Sequence, residues 1–213
     1  MPRKLALFPL QIVVFPGEEV NLHIFEPRYR QLIRDCRDEG ITFGIPAYQD
    51  NRIREFGTEV KLTEIYKTYG GGEMDVRTVA RGVFRIQEFF PTLDDKLYAG
   101  GLVRDYAHDA EENLELNEQI LGYARKLFAA MNIKRELPEN AYNFTTYDVA
   151  HFVGFNPEEE YEFLTTMSAA ARQQMLIEQI EKVLPVVREM ENMRARARMN
   201  GHFKDLIPPN FLG

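Results

Sequence analysis

The chain has 213 residues, a mass of 24.8 kDa and a net charge of −7. Its length suits one domain or two small ones. The hydrophobic share of 45% and the charged share of 28% are those of a globular protein and argue against extended disorder. The chain contains four histidines, one cysteine, Cys36, and one serine, Ser168, and this shortage removes most hydrolase mechanisms.

The cysteine content and the hydropathy pattern predict a cytoplasmic protein. A lone cysteine cannot form an internal disulfide, so a reducing compartment is the simpler location. The apolar run at residues 5–15 resembles the start of a signal peptide, but Pro9, Gln11 and Pro16 interrupt it. No stretch approaches the roughly 18 uninterrupted apolar residues of a membrane span. We therefore expect no membrane partner.

The distribution of charge argues against nucleic acid as a partner. Residues 1–105 carry 15 basic and 16 acidic groups, and residues 106–213 carry 11 basic and 17 acidic groups. Most nucleic-acid affinity comes from neutralising phosphates, so neither half favours such a partner. A cationic cluster near the C-terminus is interpreted as stabilising the end of a helix. It consists of Arg188, Arg194, Arg196, Arg198 and Lys204.

Short apolar runs bounded by glycine and proline predict a β-rich first half. Strands are expected at residues 5–10, 12–15, 20–25 and 42–45. Between the last two, a short helix begins at Pro27 with Glu26 as its N-cap and ends at Gly40. Two longer runs, residues 58–69 and 74–89, predict a hairpin with three glycines at its tip. Residues 97–106 complete the β-rich half.

From about residue 107 the apolar spacing becomes helical. It predicts helices at residues 114–131, 146–155 and 158–167, followed by a long helix that Ser168 caps. Pro185 lies inside the apolar stripe of the long helix and should kink or divide it. The chain is thus divided into a β-rich part, residues 1–107, and a helical part, residues 108–213, which we expect to pack as one unit.

Three motifs in the first thirty residues resemble the start of the Lon protease N-terminal, substrate-recognition domain. They are Leu7-Phe8-Pro9-Leu10, Val14-Phe15-Pro16-Gly17 and Ile24-Phe25-Glu26-Pro27-Arg28-Tyr29. The likeness continues through Gly57-Thr58, the glycine-tipped hairpin and Gly82-Val83-Phe84-Arg85. In the helical half it includes the run from Tyr147 to Phe152, then Glu162-Phe163-Leu164-Thr165 and Arg172. Tyr161-Glu162 here replaces the family's usual Lys-Gln.

The resemblance implies an α+β fold and a recognition function. The expected architecture is a PUA-like β-barrel with an inserted short helix, followed by a C-terminal helical bundle that ends in a long helix. Full-length Lon proteases add an ATPase domain and a Ser-Lys peptidase domain, and this chain ends too early to contain them. It has no Gly-Lys-Ser/Thr phosphate loop, and Ser168 stands where a helix needs its N-cap. We expect no catalytic residues and no enzyme activity.

The other reactive side chains have structural interpretations. Cys36 lies on the apolar stripe of its helix between two nearby arginines, and burial is favoured over nucleophilic activation. His108 and Asp109, with Glu111 and Glu112, offer metal-ligating atoms but only one imidazole. These carboxylates fit the solvated start of a helix. We therefore predict no metal site and no cofactor.

The cluster of Glu26, Arg28 and Tyr29 has two interpretations. In the structural one, Glu26 caps the helix, Arg28 bonds to barrel backbone and Tyr29 packs inward. In the functional one, Arg28 and Tyr29 border a groove for an extended peptide, with Phe8 or Phe15 beside them. The candidates for peptide binding, with two tyrosines near the hairpin tip included, are Phe8, Phe15, Arg28, Tyr29, Tyr66 and Tyr69.

Two functional hypotheses follow. The leading one is a non-catalytic recognition module that binds unfolded or peptide segments, or a protein partner. The alternative is an RNA-binding protein, because PUA-like folds often bind RNA, although the acidic balance of the chain argues against it.

Overall fold

The structure is a computed structural model that describes residues 1–202, with side chains through residue 197. Lys204 lies outside the described residues, as does the side chain of Arg198. Within this range the strands are β1 (Arg3–Leu7), β2 (Glu19–Ile24), β3 (Phe43–Gln49), β4 (Arg52–Thr68), β5 (Met74–Phe90) and β6 (Ala99–Tyr106). The α-helices are α1 (Pro27–Glu39), α2 (Leu114–Met131), α3 (Pro157–Thr165) and α4 (Ala169–His202).

The six strands form one mixed sheet in the order β2-β5-β4-β3-β1-β6, and β5 also pairs with β6. The pair of β1 and β3 is parallel, and the other pairs of strands are antiparallel. Strand β5 is long enough to pair with β4 along one edge and with β2 and β6 in succession along the other. Following the pairs from β5 through β4, β3, β1 and β6 therefore leads back to β5. Strand β5 pairs with three other strands.

The hairpin of β4 and β5 follows from the alternating pattern of β5. Met74, Val76, Thr78 and Ala80 are buried, and the residues between them are not. The alternation ends at a β-bulge, because Thr58 pairs with Val83 but Val60 pairs with Ala80. Two residues of β5, Arg81 and Gly82, therefore lie opposite the single residue Glu59.

Strands β3 and β4 extend beyond the predicted runs. Strand β3 continues to Gln49, and β4 begins at Arg52 instead of residue 58. They are joined by a two-residue turn at Asp50 and Asn51, which have φ values of 51° and 58°. Asp and Asn tolerate this left-handed conformation and favour such hairpin turns.

Helix α1 has the predicted limits. Pro27 occupies its first turn, and Gly40 ends it in the left-handed conformation with φ 69°. The predicted stripe is buried and consists of Tyr29, Leu32, Ile33 and Cys36. Glu26 occupies the N-cap position, but its side chain accepts no capping hydrogen bond. The predicted N-cap position of Glu26 is therefore confirmed, whereas its side chain does not cap the helix and pairs with Arg28 instead.

The helical part differs from the prediction in two places. Residues 146–155 form short 3-10 turns, Thr146–Asp148 and Ala150–Phe152, instead of a continuous helix. Helix α4 runs through Pro185 without a break, so of the two predicted effects, a kink or a division, the division is wrong. Ser168 accepts a hydrogen bond from the Ala171 N–H at 3.3 Å, which confirms its predicted capping role. No helix within residues 1–202 combines the length and apolar character needed to cross a membrane.

The segment before β2 was predicted as a strand at residues 12–15 but is a loop. Its continuous apolar run has another cause, because successive side chains enter two different hydrophobic cores. Val14 packs with the core of the sheet, under α1, whereas Val13 and Phe15 pack with the core of the helical part. The Val14 carbonyl accepts a hydrogen bond from the buried Thr58 hydroxyl instead of a ladder bond. The loop therefore joins the two cores of a mixed, α+β fold.

Candidate functional site

A cleft of about 620 Å³ lies where strands β5 and β6 meet the helical part. Its floor is the bulge of β5 and the end of β6, and its far wall comes from the 3-10 turns and α4. We call it the central cleft and define it by the residues Arg81, Tyr106, His108, Tyr142, Phe144 and Arg172. Its volume is within the range of small-ligand sites, roughly 300–1,000 Å³.

Arg172 fixes the inner wall of the cleft. It lies in the first turns of α4, and only 1% of the residue is exposed. Its Nη1 donates to the carbonyls of Thr166 and Met167 at 3.0 and 2.8 Å, and its Nη2 donates to the Asp109 carbonyl at 2.7 Å. These bonds tie the end of α3 and the segment after β6 to α4. A buried guanidinium with this many acceptors is a structural element, because its donors are largely used.

The charge of Arg172 is balanced within the same wall. The Glu112 carboxylate lies 3.9 Å from Arg172 Nη2 and accepts hydrogen bonds from the Thr146 N–H and hydroxyl at 3.0 and 2.7 Å. The guanidinium also lies over the Tyr147 ring, with 5.1 Å between its carbon and the ring centroid. The wall is therefore neutral overall, although it contains two buried charged groups.

His108 stands beside this wall in its neutral form. Burial and the charge of Arg172 lower the pKa of His108 to about 4, and the nearby Leu164 backbone opposes this only in part. The Tyr147 hydroxyl lies 2.6 Å from Nδ1, and burial raises the pKa of Tyr147 to about 12. The Tyr147 hydroxyl therefore stays protonated and donates a hydrogen bond to His108 Nδ1. The buried Nε2 atom makes no hydrogen bond of good geometry within the described part of the chain.

The mouth of the cleft exposes apolar and aromatic surface. Tyr142 is 80% exposed, and Leu114 at the start of α2 is also exposed. Both lie among the lining residues, as does the exposed Arg81 of the β5 bulge. An open mouth of this kind can contact a flexible ligand, because aromatic side chains contribute large contact areas at low entropic cost.

A second polar group joins the strands' side of the molecule to the helical part outside the lining of the central cleft. The His151 ring lies 2.8 Å from Glu160 of α3 through Nδ1 and 3.1 Å from Glu18 through Nε2. Burial opposes the charged form of His151, but the hydrogen bonds to the two carboxylates outweigh it and raise its pKa to about 9. Glu18 also accepts from the Phe15 N–H at 3.0 Å. We call these three residues the histidine clamp, since they tie the loop before β2 to the helical part.

Comparison with known proteins assigns the chain to a family. The model of the ATP-dependent protease La (LON) substrate-binding domain matches residues 4–182. The chain belongs to this family. No curated protein matches it.

Solved structures of LON domains share the fold. The chain is similar to a Lon N-terminal domain protein from Xanthomonas campestris, with 22% identity and a TM-score of 0.65 over 82% of this chain and 97% of that one. It is also similar to the N-terminal domain of the Mycobacterium avium complex Lon protease, with 13% identity and a TM-score of 0.62 over 84% of this chain and 98% of that one. The predicted family resemblance is confirmed.

Of the three N-terminal motifs that carry the LON resemblance, one residue, Pro16, lines the central cleft, and the others lie outside its lining. Tyr29 is buried and stacks on Phe8, with 3.7 Å between the ring centroids. Arg28 is exposed, but its Nε donates to Glu26 at 2.9 Å and its guanidinium lies 4.7 Å from the Tyr29 ring centroid. Tyr29 thus packs inward, whereas Arg28 bonds to a carboxylate and not to backbone.

The remaining sequence candidates, Phe15, Tyr66 and Tyr69, lie in other parts of the fold. Phe15 is 1% exposed and packs against Tyr147 and Phe163 in the helical core, so the structure does not bring it near Arg28. Tyr66 is 48% exposed on the hairpin. Tyr69, near the hairpin tip, donates its hydroxyl to Asp75 at 2.7 Å. Of the six candidates, Phe8, Arg28 and Tyr29 lie together, and none of the six lines the central cleft.

Possible catalytic or metal-binding groups have structural partners. Burial raises the pKa of the Cys36 thiol to about 12, which leaves it unreactive near neutral pH. The predicted metal-ligand types near the start of α2 face different partners, since His108 contacts Tyr147 and Glu112 contacts Thr146. The Asp109 carboxylate accepts from the Glu111 N–H at 3.0 Å. Within residues 1–202 no group of three or more His, Cys, Asp or Glu side chains could hold a metal ion.

Proposed function

We propose that this LON domain is a non-catalytic recognition module that binds unfolded polypeptide segments, or an unfolded part of a protein partner, in the central cleft. The observation that carries the proposal is the exposed aromatic and apolar mouth of the cleft, at Tyr142 and Leu114, in a substrate-binding domain family. Exposed apolar side chains at the rim of a cleft are a common feature of binding sites. We further propose that the ring of strand pairings forms the PUA-like barrel, and that the protein is cytoplasmic.

The absence of catalysis is supported by the state of the reactive groups. A nucleophile needs a base and an oxyanion site beside it. Ser168 caps α4, and the Cys36 thiol is buried under α1. His108 is neutral and could act as a base only toward a group that enters the cleft. Its pKa of about 4 makes it a poor proton acceptor at neutral pH.

The expected affinity is weak. An unfolded segment loses conformational entropy when it binds, and this offsets much of the contact energy. A cleft of about 620 Å³ contacts only a few residues of an extended chain. We therefore expect dissociation constants on the order of 10–100 µM for single segments, which correspond to about 5–7 kcal/mol of binding free energy.

The test is a calorimetric titration with a reduced, carboxymethylated protein that cannot refold, and with the same protein in its folded state as the control. We expect binding of the unfolded form only. The Tyr142→Ala variant should bind about 5- to 10-fold more weakly, as expected for an aromatic contact residue. Tyr66→Ala is the matched variant, because Tyr66 is also an exposed tyrosine but lies on the hairpin. If Tyr66→Ala loses affinity and Tyr142→Ala does not, the binding site is at the hairpin and the cleft is excluded.

No observation among the described residues favours the RNA-binding alternative. Carboxylates line the central cleft alongside Arg81, and phosphate recognition needs a basic surface. A filter-binding assay with single-stranded RNA at two salt concentrations tests it. Tight, salt-sensitive binding would replace the polypeptide proposal with this one.

A further inference from the structure

The bulge of β5 gives one arginine an unusual position. Arg77 and Arg85 of the same strand form ion pairs with Glu64 and Glu55, at 2.9 and 2.8 Å. Arg81, between them, lies in the bulge at the floor of the central cleft and is exposed. Within residues 1–202 it forms no ion pair. Bulges often change the direction of a side chain so that it faces a site. Here the bulge places the Arg81 side chain, which has no ion-pair partner among the described residues, in the lining of the cleft.

Each carboxylate that lines the cleft has a hydrogen-bond or ion-pair partner elsewhere in the structure. Glu59 and Asp105 both pair with Arg3, which lies outside the cleft. Glu112 accepts from Thr146 and balances Arg172. Asp109 accepts from a backbone N–H of its own segment. Among the described residues, Arg81 is therefore the one charged side chain of the lining that has no hydrogen bond or ion pair, and it lines the same cleft as Tyr106 and Phe144.

We propose that Arg81 recognises the free C-terminal carboxylate of an unfolded polypeptide whose last side chain is apolar and occupies the central cleft. This rests on the proposed function and specifies which part of the substrate enters the site. A guanidinium binds a carboxylate through two parallel hydrogen bonds, which are stronger than neutral ones. A chain end also fits a small cleft better than an internal segment, because its backbone has to enter the cleft but does not have to leave it again.

The first experiment compares the peptide Ac-Gly-Ser-Gly-Ala-Leu-Phe as its free acid and as its amide, by calorimetry at low salt. The two differ only in the terminal charge. We expect the acid to bind about 10-fold more tightly, and this preference to shrink as salt is added. A third peptide, the amide with Asp in place of Ala, carries its carboxylate on a side chain and should bind like the plain amide.

Variants locate the effect. Arg81→Gln should remove the preference for the acid, whereas Arg85→Gln, on the same strand but outside the cleft, should keep it. Gly82 also lines the cleft, and a Cβ there would meet no atom within 4 Å. Gly82→Val should therefore fold normally, as judged by thermal melting, and weaken the binding of both acid and amide by several-fold.

Each outcome decides the proposal. Equal affinity for acid and amide in the unmodified protein overturns it, as does a preference that persists in Arg81→Gln. Tight binding of the Asp-containing amide assigns Arg81 to side-chain carboxylates and overturns the chain-end assignment. If the peptides fail to bind but the reduced, carboxymethylated protein binds, only this proposal falls. If neither binds, the proposed function falls with it.

Discussion

His108 lines the central cleft and His151 lies outside its lining, and the protein holds them in opposite states. His108 is neutral, with a pKa of about 4, because burial and Arg172 disfavour its charge. His151 is charged at neutral pH, with a pKa of about 9, because Glu18 and Glu160 accept from its ring despite burial. The comparison shows that burial alone does not set the charge of a side chain. The charged groups beside each ring decide whether the histidine is neutral, as in the cleft, or charged and able to link two segments.

The two sites have opposite effects on stability as pH changes. The folded pKa of His151 is above the unfolded value of about 6.5, so its contribution is complete below that pH and is lost as pH rises toward 9. The folded pKa of His108 is below the unfolded value, so its contribution is present above pH 6.5 and is lost as pH falls toward 4. The histidines together place maximum stability near neutral pH.

The largest expected effect comes from the cleft side. Arg172→Met should lower the free energy of unfolding by about 3–5 kcal/mol, because it leaves three carbonyls without their buried donor and the Glu112 carboxylate without its nearby positive charge. Arg172→Lys should restore only a minor part of this loss, since an ammonium group cannot reach acceptors in a planar fork. Urea denaturation measures both.

The matched control for this prediction is Arg194→Met, an exposed position later on α4. It should change the free energy of unfolding by less than about 0.5 kcal/mol. Loss of under 1 kcal/mol in Arg172→Met would contradict the structural role of the guanidinium.

The second prediction removes the histidine clamp. His151→Gln should lower the free energy of unfolding by about 2 kcal/mol at pH 6, because it breaks two charge-assisted contacts at a largely buried site. The loss should shrink as pH approaches 9, where the unmodified protein also loses the charge. Urea denaturation between pH 6 and 9 measures it, with His23→Gln as the control because His23 is exposed. A constant loss across this range would mean that His151 is not charged in the fold.

The third prediction concerns the neutral histidine. His108→Gln should cost only about 1 kcal/mol at pH 7, since it loses one neutral contact with the Tyr147 hydroxyl. Between pH 6.5 and 4 the unmodified protein should lose stability faster than the variant, because the unfolded chain binds the His108 proton that the fold rejects. Identical acid limbs in thermal melts of the two proteins would disprove the lowered pKa.

The smallest effect is expected for Tyr147→Phe, which keeps the ring over Arg172 and removes the hydroxyl. The free energy of unfolding should fall by less than about 1 kcal/mol. The pKa of His108, followed by NMR titration of its ring protons, should stay below 6.5, because burial and Arg172 remain. A return to 6.5 would show that the hydroxyl, and not burial, holds the ring neutral.

Much of the fold could be predicted from local sequence. The stripe of α1, the alternation of β5 and the cap at Ser168 depend on residues close in the chain, and these predictions hold. The prediction of a strand at residues 12–15 is wrong because burial on both sides of a chain produces the same continuous apolar run whether or not a ladder forms. Residues 146–155 were misassigned because an apolar run does not distinguish 3-10 turns from an α-helix.

The candidate site could not be predicted to the same extent. Arg172 reaches Asp109 and Thr146, and no local pattern connects positions so distant in sequence. Two signals pointed to Arg172: the family resemblance includes it, and it stands four residues after the Ser168 cap in an otherwise small and apolar turn of α4. The acidic and histidine residues near position 108 suggested ligand chemistry, but their partners come from other segments.

The loop between β1 and β2 has a consequence for fragment expression. Val13 and Phe15 belong to the core of the helical part, although they precede most of the strands. A fragment ending near residue 107 would therefore display both side chains to water, together with the unpaired carboxylate of Glu18. Such a fragment should aggregate and be poorly soluble, so the β-rich half is best produced together with the helical part.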